Sequence, residues 1–208
     1  MVCCHDDDIS KVNAYNSNGV KVQAGQVKIS ETTLADLLTY DFGKYRNQAG
    51  LQILQVEDFL SFCKDLGDVT PVLEMKVDIT DKQLEELTAL IKKYGFEDTI
   101  MFVCTDQRFA TALPNCTMGD WVYTLTDGVI ARMDALTCKG KFVYVARDGG
   151  NEDSVNFENY VKCKAKGIDL AITYIPSTYK DYFNGLKDKG IFNYCKYIAL
   201  DEVSWLYE

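Results

Sequence analysis

Glu74 and Lys76 stand two residues apart in the segment Pro71-Val72-Leu73-Glu74-Met75-Lys76-Val77. Side chains alternate along a strand, so in an extended segment a carboxylate and an ammonium would share one face. Leu73, Met75 and Val77 would take the other face, against helices. Two charges inside a sheet are costly unless they pair or bind something. They would sit near the C-terminal end of the strand, where parallel α/β folds place their sites. An exposed edge, or a structural ion pair, would use the same two residues, and residue chemistry alone leaves these readings open beside a site.

His5 is the one histidine of the chain, and Asp6 follows it. An imidazole titrates near neutrality and can act as general acid or base, though not as both at once. Val2-Cys3-Cys4 reads as the end of a strand that would deliver His5 to a site; fraying at the chain start is the competing reading. A single histidine rules out His-rich metal sites. Asp6-Asp7-Asp8 carries oxygen ligands suited to Ca²⁺ or Mg²⁺, but it lacks the EF-hand spacing and reads as a solvated turn. The eight cysteines are scattered without a C-x-x-C, which excludes zinc-ribbon spacing and points to buried thiols.

These residues need elements to hold them. Helices are expected over 55–66, 80–94, 154–166 and 178–189, with a shorter one over 30–39. Val56, Phe59, Leu60 and Cys63 recur at helical spacing, and Gly67 follows as a stop. Thr80-x-x-Gln83 has the form of a capping box. Strands are expected over 71–77, 99–104, 121–125, 141–146, 169–174 and 197–200. They are short and nearly continuous in apolar character, as strands buried on both faces are. Alternation of strand and helix gives an α/β fold with a parallel sheet. The pattern does not separate a (β/α) barrel from an open doubly wound sheet, although no glycine-rich nucleotide-binding motif is present. Asp201 would follow the last strand, where a structural role is expected.

The chain has 208 residues, and neither a linker nor a repeat divides it, so one domain over 1–208 is expected. A net charge of -9 speaks against nucleic acid as a partner. No apolar run is long enough to span a membrane, and the N-terminus does not have the form of a signal peptide. As written the chain is expected in the cytoplasm; a longer parent chain could carry a signal.

In order along the chain come His5-Asp6-Asp7, Ile29-Ser30-Glu31-Thr32-Thr33-Leu34, Thr39-Tyr40-Asp41-Phe42-Gly43, Val56-Glu57-Asp58-Phe59-Leu60, Leu73-Glu74-Met75-Lys76 and Lys92-Lys93-Tyr94-Gly95. This series resembles the glycerophosphodiester phosphodiesterase family. The match is strong over about residues 1–105 and weak beyond. The resemblance implies a TIM-barrel enzyme that hydrolyses glycerophosphodiesters to glycerol 3-phosphate and an alcohol with a divalent cation, Ca²⁺ or Mg²⁺. Carried over by motif, His5 matches a catalytic histidine, Glu74 a metal-binding glutamate and Lys76 the lysine beside the phosphate.

The family's opening strands, bearing His-Arg-Gly and Glu-x-Asp, have no counterpart here. Its Ile-Pro-Thr-Leu-Glu-Glu stretch reads Ile53-Leu54-Gln55-Val56-Glu57-Asp58, and its Trp-Thr reads Ile172-Thr173. The expectation is therefore a truncated barrel, incomplete at its N-terminal strands, with a second copy of the chain covering the exposed strand edge. Catalysis would be impaired by the loss of one histidine and two metal carboxylates. The alternative is a non-catalytic relative that binds an anionic ligand or a protein partner.

Overall fold

The computed structural model describes residues 1–146, 157–175 and 180–200. The chain divides into two compact units, Met1–Val69 with Lys76–Tyr94, and Thr70–Met75 with Gly95–Glu208.

In the first unit, β1 (Val2–Cys3) pairs antiparallel with β2 (Leu54–Gln55). Between them runs a long loop that carries the four-residue helix α1 (Leu34–Leu37) and several 3-10 turns. The loop has its own core of Ile9, Ala14, Val22, Leu37 and Ile53, ringed by residues such as Val12, Val27 and Phe42. The helix expected over 30–39 is broken. A 3-10 turn at Ile29–Glu31 ends at Thr32, which is extended, and the Thr33 hydroxyl then caps α1 by accepting from the Asp36 N–H. Two successive threonines favour that interruption, because their hydroxyls compete for backbone groups.

Helices α2 (Val56–Leu66) and α3 (Asp81–Tyr94) complete the unit and match expectation. Val56, Leu60 and Cys63 form the buried stripe of α2; Leu84, Leu87 and Ile91 form that of α3. Gly67 and Gly95 end them at φ 83° and 79°, where a side chain would be strained. The capping box forms: the Thr80 N–H donates to Gln83 Oε1 at 2.9 Å, and the Gln83 N–H donates to Thr80 Oγ1 at 3.3 Å.

The second unit is a parallel sheet of β3 (Val72–Glu74), β4 (Met101–Val103), β5 (Thr117–Val122), β6 (Gly140–Ala146), β7 (Ile168–Ile175) and β8 (Cys195–Leu200). Helices α4 (Gln107–Ala112), α5 (Asp127–Asp134), α6 (Phe157–Ala165) and α7 (Lys180–Asp188) supply the crossovers from β4 onward, as α3 does between β3 and β4. Each strand lies beside its neighbour in sequence. A doubly wound sheet reverses its order part-way; this one does not, and its order is that of a (β/α) barrel. Among the described residues the parallel sheet has six strands, short of the eight of a full barrel.

Three expectations shift. The strand expected over 71–77 stops at Glu74, so Lys76 lies beyond it. The strand expected over 121–125 is β5, which begins at Thr117 and ends at Val122. Helices α4 and α5 were not expected. The sequence-predicted starts of two helices, Ser154 and Thr178, and Asp201 lie outside the described residues.

All eight cysteines are free thiols. Burial pushes Cys104 and Cys163 up to about 11 and Cys195 up to about 12. Cys138 goes the other way and is lowered, because the Cys116 thiol donates a hydrogen bond to its sulfur, while Cys116 itself is raised.

Candidate functional site

Residues in register across a parallel pair share a face of the sheet. Glu74 pairs with Val103, Val103 with Gly119, and Gly119 with Phe142, so these four form one row on one face. Leu73, Phe102, Met118, Val143 and Leu170 lie on the opposite face and are all buried. That apolar face receives the helices, and Arg132 of α5 pairs there with Asp120. Glu74 is therefore turned away from the helix layer, as its place in Pro71–Val77 requires, and it is exposed at the C-terminal end of β3. Phe142 fills the row beside it. A Cβ at position 119 would stand inside van der Waals distance of the Phe142 ring, so glycine is what lets that ring lie over β5.

One step further toward the C-terminal ends of the strands, Trp121 pairs with Tyr144. The Trp121 ring meets Tyr123 edge-on, centroids 4.6 Å apart at 75°, and Tyr144 meets Phe142 at 4.9 Å and 89°. The sequence reading missed this group because it placed Trp121 at the start of a strand instead of near its end. The signal that fixes the register is the turn at Pro114-Asn115, which starts β5 at Thr117.

His5 lies just past β1, which forms as a short antiparallel strand. Its side chain is 75% exposed, and Nδ1 stands 3.1 Å from Asp6 Oδ2. That hydrogen bond, helped by Lys11, holds the Asp6 carboxyl below its usual range. A carboxylate on one ring nitrogen fixes the orientation of an imidazole and leaves the other nitrogen for proton transfer.

The remaining acids of the run hold the loop together. Asp7 accepts from the Ser30 N–H at 2.7 Å and the Ser30 hydroxyl at 2.8 Å. Asp8 accepts from the Gly25 N–H at 2.8 Å and the Ser10 N–H at 2.9 Å. Asp41 accepts from the N–H groups of Gly50, Gly43 and Lys44. Backbone N–H donors lower all three carboxyls, led by Ser30, Gly25 and Gly50 respectively.

A lowered native value means the stabilisation is complete above the ordinary carboxylate value of about 3.9 and is lost as pH falls from there through the lower native value. The amides of Gly25, Ser30 and Gly50 are accordingly expected to keep their hydrogen-exchange protection down through about pH 4, the ordinary carboxylate value, and to lose it only at lower pH. Protection already lost at or above about pH 4, the ordinary carboxylate value, would contradict this role for the three acids.

Among the described residues no group of three or more His, Cys, Asp and Glu side chains is placed to hold a metal ion. Asp7 and Asp8 are committed to the loop, and Glu74 is a carboxylate at the C-terminal end of a parallel strand. Ca²⁺ takes roughly six to eight oxygens, whereas Mg²⁺ is commonly held by about one or two carboxylates, water and substrate phosphate.

No protein-family model matches the sequence, and no curated protein does. Solved structures do match. A protein described as a glycerophosphoryl diester phosphodiesterase, from Silicibacter pomeroyi, has a TM-score of 0.70 at 14% identity, with 98% of this chain and 76% of that one covered. A glycerophosphoryl diester phosphodiesterase from Parabacteroides distasonis gives 0.62 at 15%, covering 99% and 68%. A second from the same organism gives 0.59 at 13%, covering 92% and 82%. The fold is that of the glycerophosphodiester phosphodiesterases. It is a TIM-barrel fold, and at these identities the likeness is one of fold. Among the described residues no helix is long and apolar enough to cross a membrane.

Proposed function

We propose that residues 1–208 form one glycerophosphodiester phosphodiesterase-like domain that hydrolyses a glycerophosphodiester to glycerol 3-phosphate and an alcohol. The observation that carries this reading is Glu74, exposed at the C-terminal end of a parallel strand in a fold shared with such enzymes over nearly the whole chain. A catalytic role at such a strand end is what the architecture favours.

In this reaction water attacks phosphorus and the bond to the alcohol oxygen breaks. His5, oriented by Asp6, takes a proton from the water or gives one to the leaving oxygen. With no second imidazole in the chain, the other transfer falls to solvent, and slow turnover follows. Lys76, two residues after Glu74, offsets negative charge on the phosphate oxygens. Glu74 would hold the divalent cation, Ca²⁺ or Mg²⁺, and the cation would stabilise charge on those same oxygens.

The test is release of glycerol 3-phosphate from glycerophosphocholine in the presence of Mg²⁺, Ca²⁺ or EDTA. Turnover is expected with Mg²⁺ and lost with EDTA. Equal turnover under all three conditions would remove the metal from the proposal.

The exposure of His5 favours a second reading, a non-catalytic relative that binds an anionic ligand or a protein partner. Saturable binding of glycerophosphocholine that is indifferent to EDTA, without product, would select it.

We propose also that a second copy pairs with β3, which is an end strand of the parallel sheet among the described residues, since strand edges invite pairing. Light scattering is expected to show a dimer; a monomer across the concentration range would remove this proposal.

A further inference from the structure

The aromatic group at the end of β5 stands on the face of the sheet that bears Glu74. Trp121 lies two residues beyond Gly119, in the row that Glu74 begins. Tyr144 is its registered partner, and Tyr123 meets it edge-on. Trp121 is 40% exposed and Tyr123 64% exposed, which is unusual for two large rings in contact at the end of a sheet strand. Core packing does not account for them, because the ring that fills this part of the sheet is Phe142, with no exposure at all.

Exposed faces of Trp and Tyr carry negative π density and attract cations, weakly hydrated ones above all. An anionic group would meet a chain of net charge -9. A compact hydrated ammonium would lose water for little return. A quaternary ammonium has apolar methyl groups to lay on the rings and a diffuse positive charge for their π faces. Glu74 and Trp121 are separated by two strand spacings of about 4.8 Å and one two-residue step of about 6.6 Å, or about 12 Å between backbones. A glutamate side chain, a phosphocholine and an indole together span such a distance.

We propose that Trp121 and Tyr123 form the subsite for the alcohol portion of the substrate, and that it takes a quaternary ammonium of the choline type. This rests on the phosphodiesterase reading for its catalytic consequence, but not for the binding itself.

The experiment compares kcat/KM for glycerophosphocholine and glycerophosphoglycerol in the wild type, Tyr123→Leu and Trp121→Leu, with choline chloride titrated calorimetrically into each. The uncharged isostere 3,3-dimethylbutan-1-ol serves as the control ligand. Tyr123 is exposed and beyond the strand, so its replacement should leave the melting temperature unchanged. The wild type is expected to favour the choline ester and to bind choline but not the isostere. Each variant is expected to lose about 5–30-fold in that preference or in choline affinity.

Turnover without preference, or a preference that both variants retain, would overturn the subsite. So would equal binding of choline and its isostere. If no diester is hydrolysed, the phosphodiesterase reading fails and choline binding decides alone: binding lost in Tyr123→Leu supports the subsite, and no binding overturns it.

Discussion

His5→Ala is expected to lower kcat for glycerophosphocholine by about 10²–10⁴-fold, the range for removing a general acid or base. KM should change little, because the imidazole acts on a proton in flight and not on bound ground-state charge. His5 is the chain's single histidine, so no neighbour can substitute for it. Asp6→Asn is expected to lower kcat less, since it keeps the shape of the partner and removes only its charge beside Nδ1. A His5→Ala protein that turns over at the wild-type rate would take His5 out of the chemistry. The assay should be paired with the melting temperature, because His5 is exposed and its loss should not unfold the chain.

The largest effect on stability is expected at Phe142→Ala. This ring has no exposure, lies over Gly119 and meets Tyr144 edge-on. Its removal should cost about 3–5 kcal/mol, the lost transfer of a buried aromatic together with an unfilled cavity. The reciprocal change, Gly119→Val, should cost about 1–3 kcal/mol by pushing the ring out of its place. Urea unfolding of the two single variants and the double variant provides the check. A valine at position 119 would partly fill the space left by the missing Phe142 ring, so the double variant should be more stable than the sum of the two losses predicts. Strict additivity would contradict this packing of the ring over the glycine.

Helical period and capping chemistry made the long helices legible in the sequence. The apolar stripe of α3, its Thr80–Gln83 box and its terminal Gly95 all agree, and consistency of that kind is what local sequence can convey. The register of β5 was not legible. Thr117-Met118-Gly119-Asp120 reads as a poor strand, since glycine and aspartate are both depleted in strands. Gly119 is there because Phe142 covers it, and Asp120 because Arg132 pairs with it. Both causes lie in other elements. The short helices α4 and α5 were missed for a related reason: six and eight residues give too few turns to establish a period.

The candidate site divides in the same way. Glu74 was visible as a charge in an apolar strand, and its face follows from alternation alone. The end of that strand was not visible, so Lys76 was placed on one strand face with Glu74 although the strand stops short of it. The roles of Asp7 and Asp8 were hidden because their partners, Ser30 and Gly25, are far away in sequence. The aromatic group at Trp121 depended on the register of β5 and was lost with it.

The central claim is hydrolysis of a glycerophosphodiester by this chain, and phosphorus NMR of glycerophosphocholine incubated with the protein and Mg²⁺ tests it most directly. The diester resonance is expected to give way to that of glycerol 3-phosphate, and to persist in His5→Ala and Glu74→Ala. A diester signal unchanged by folded wild-type protein would contradict the account, and so would the same rate of loss in all three proteins.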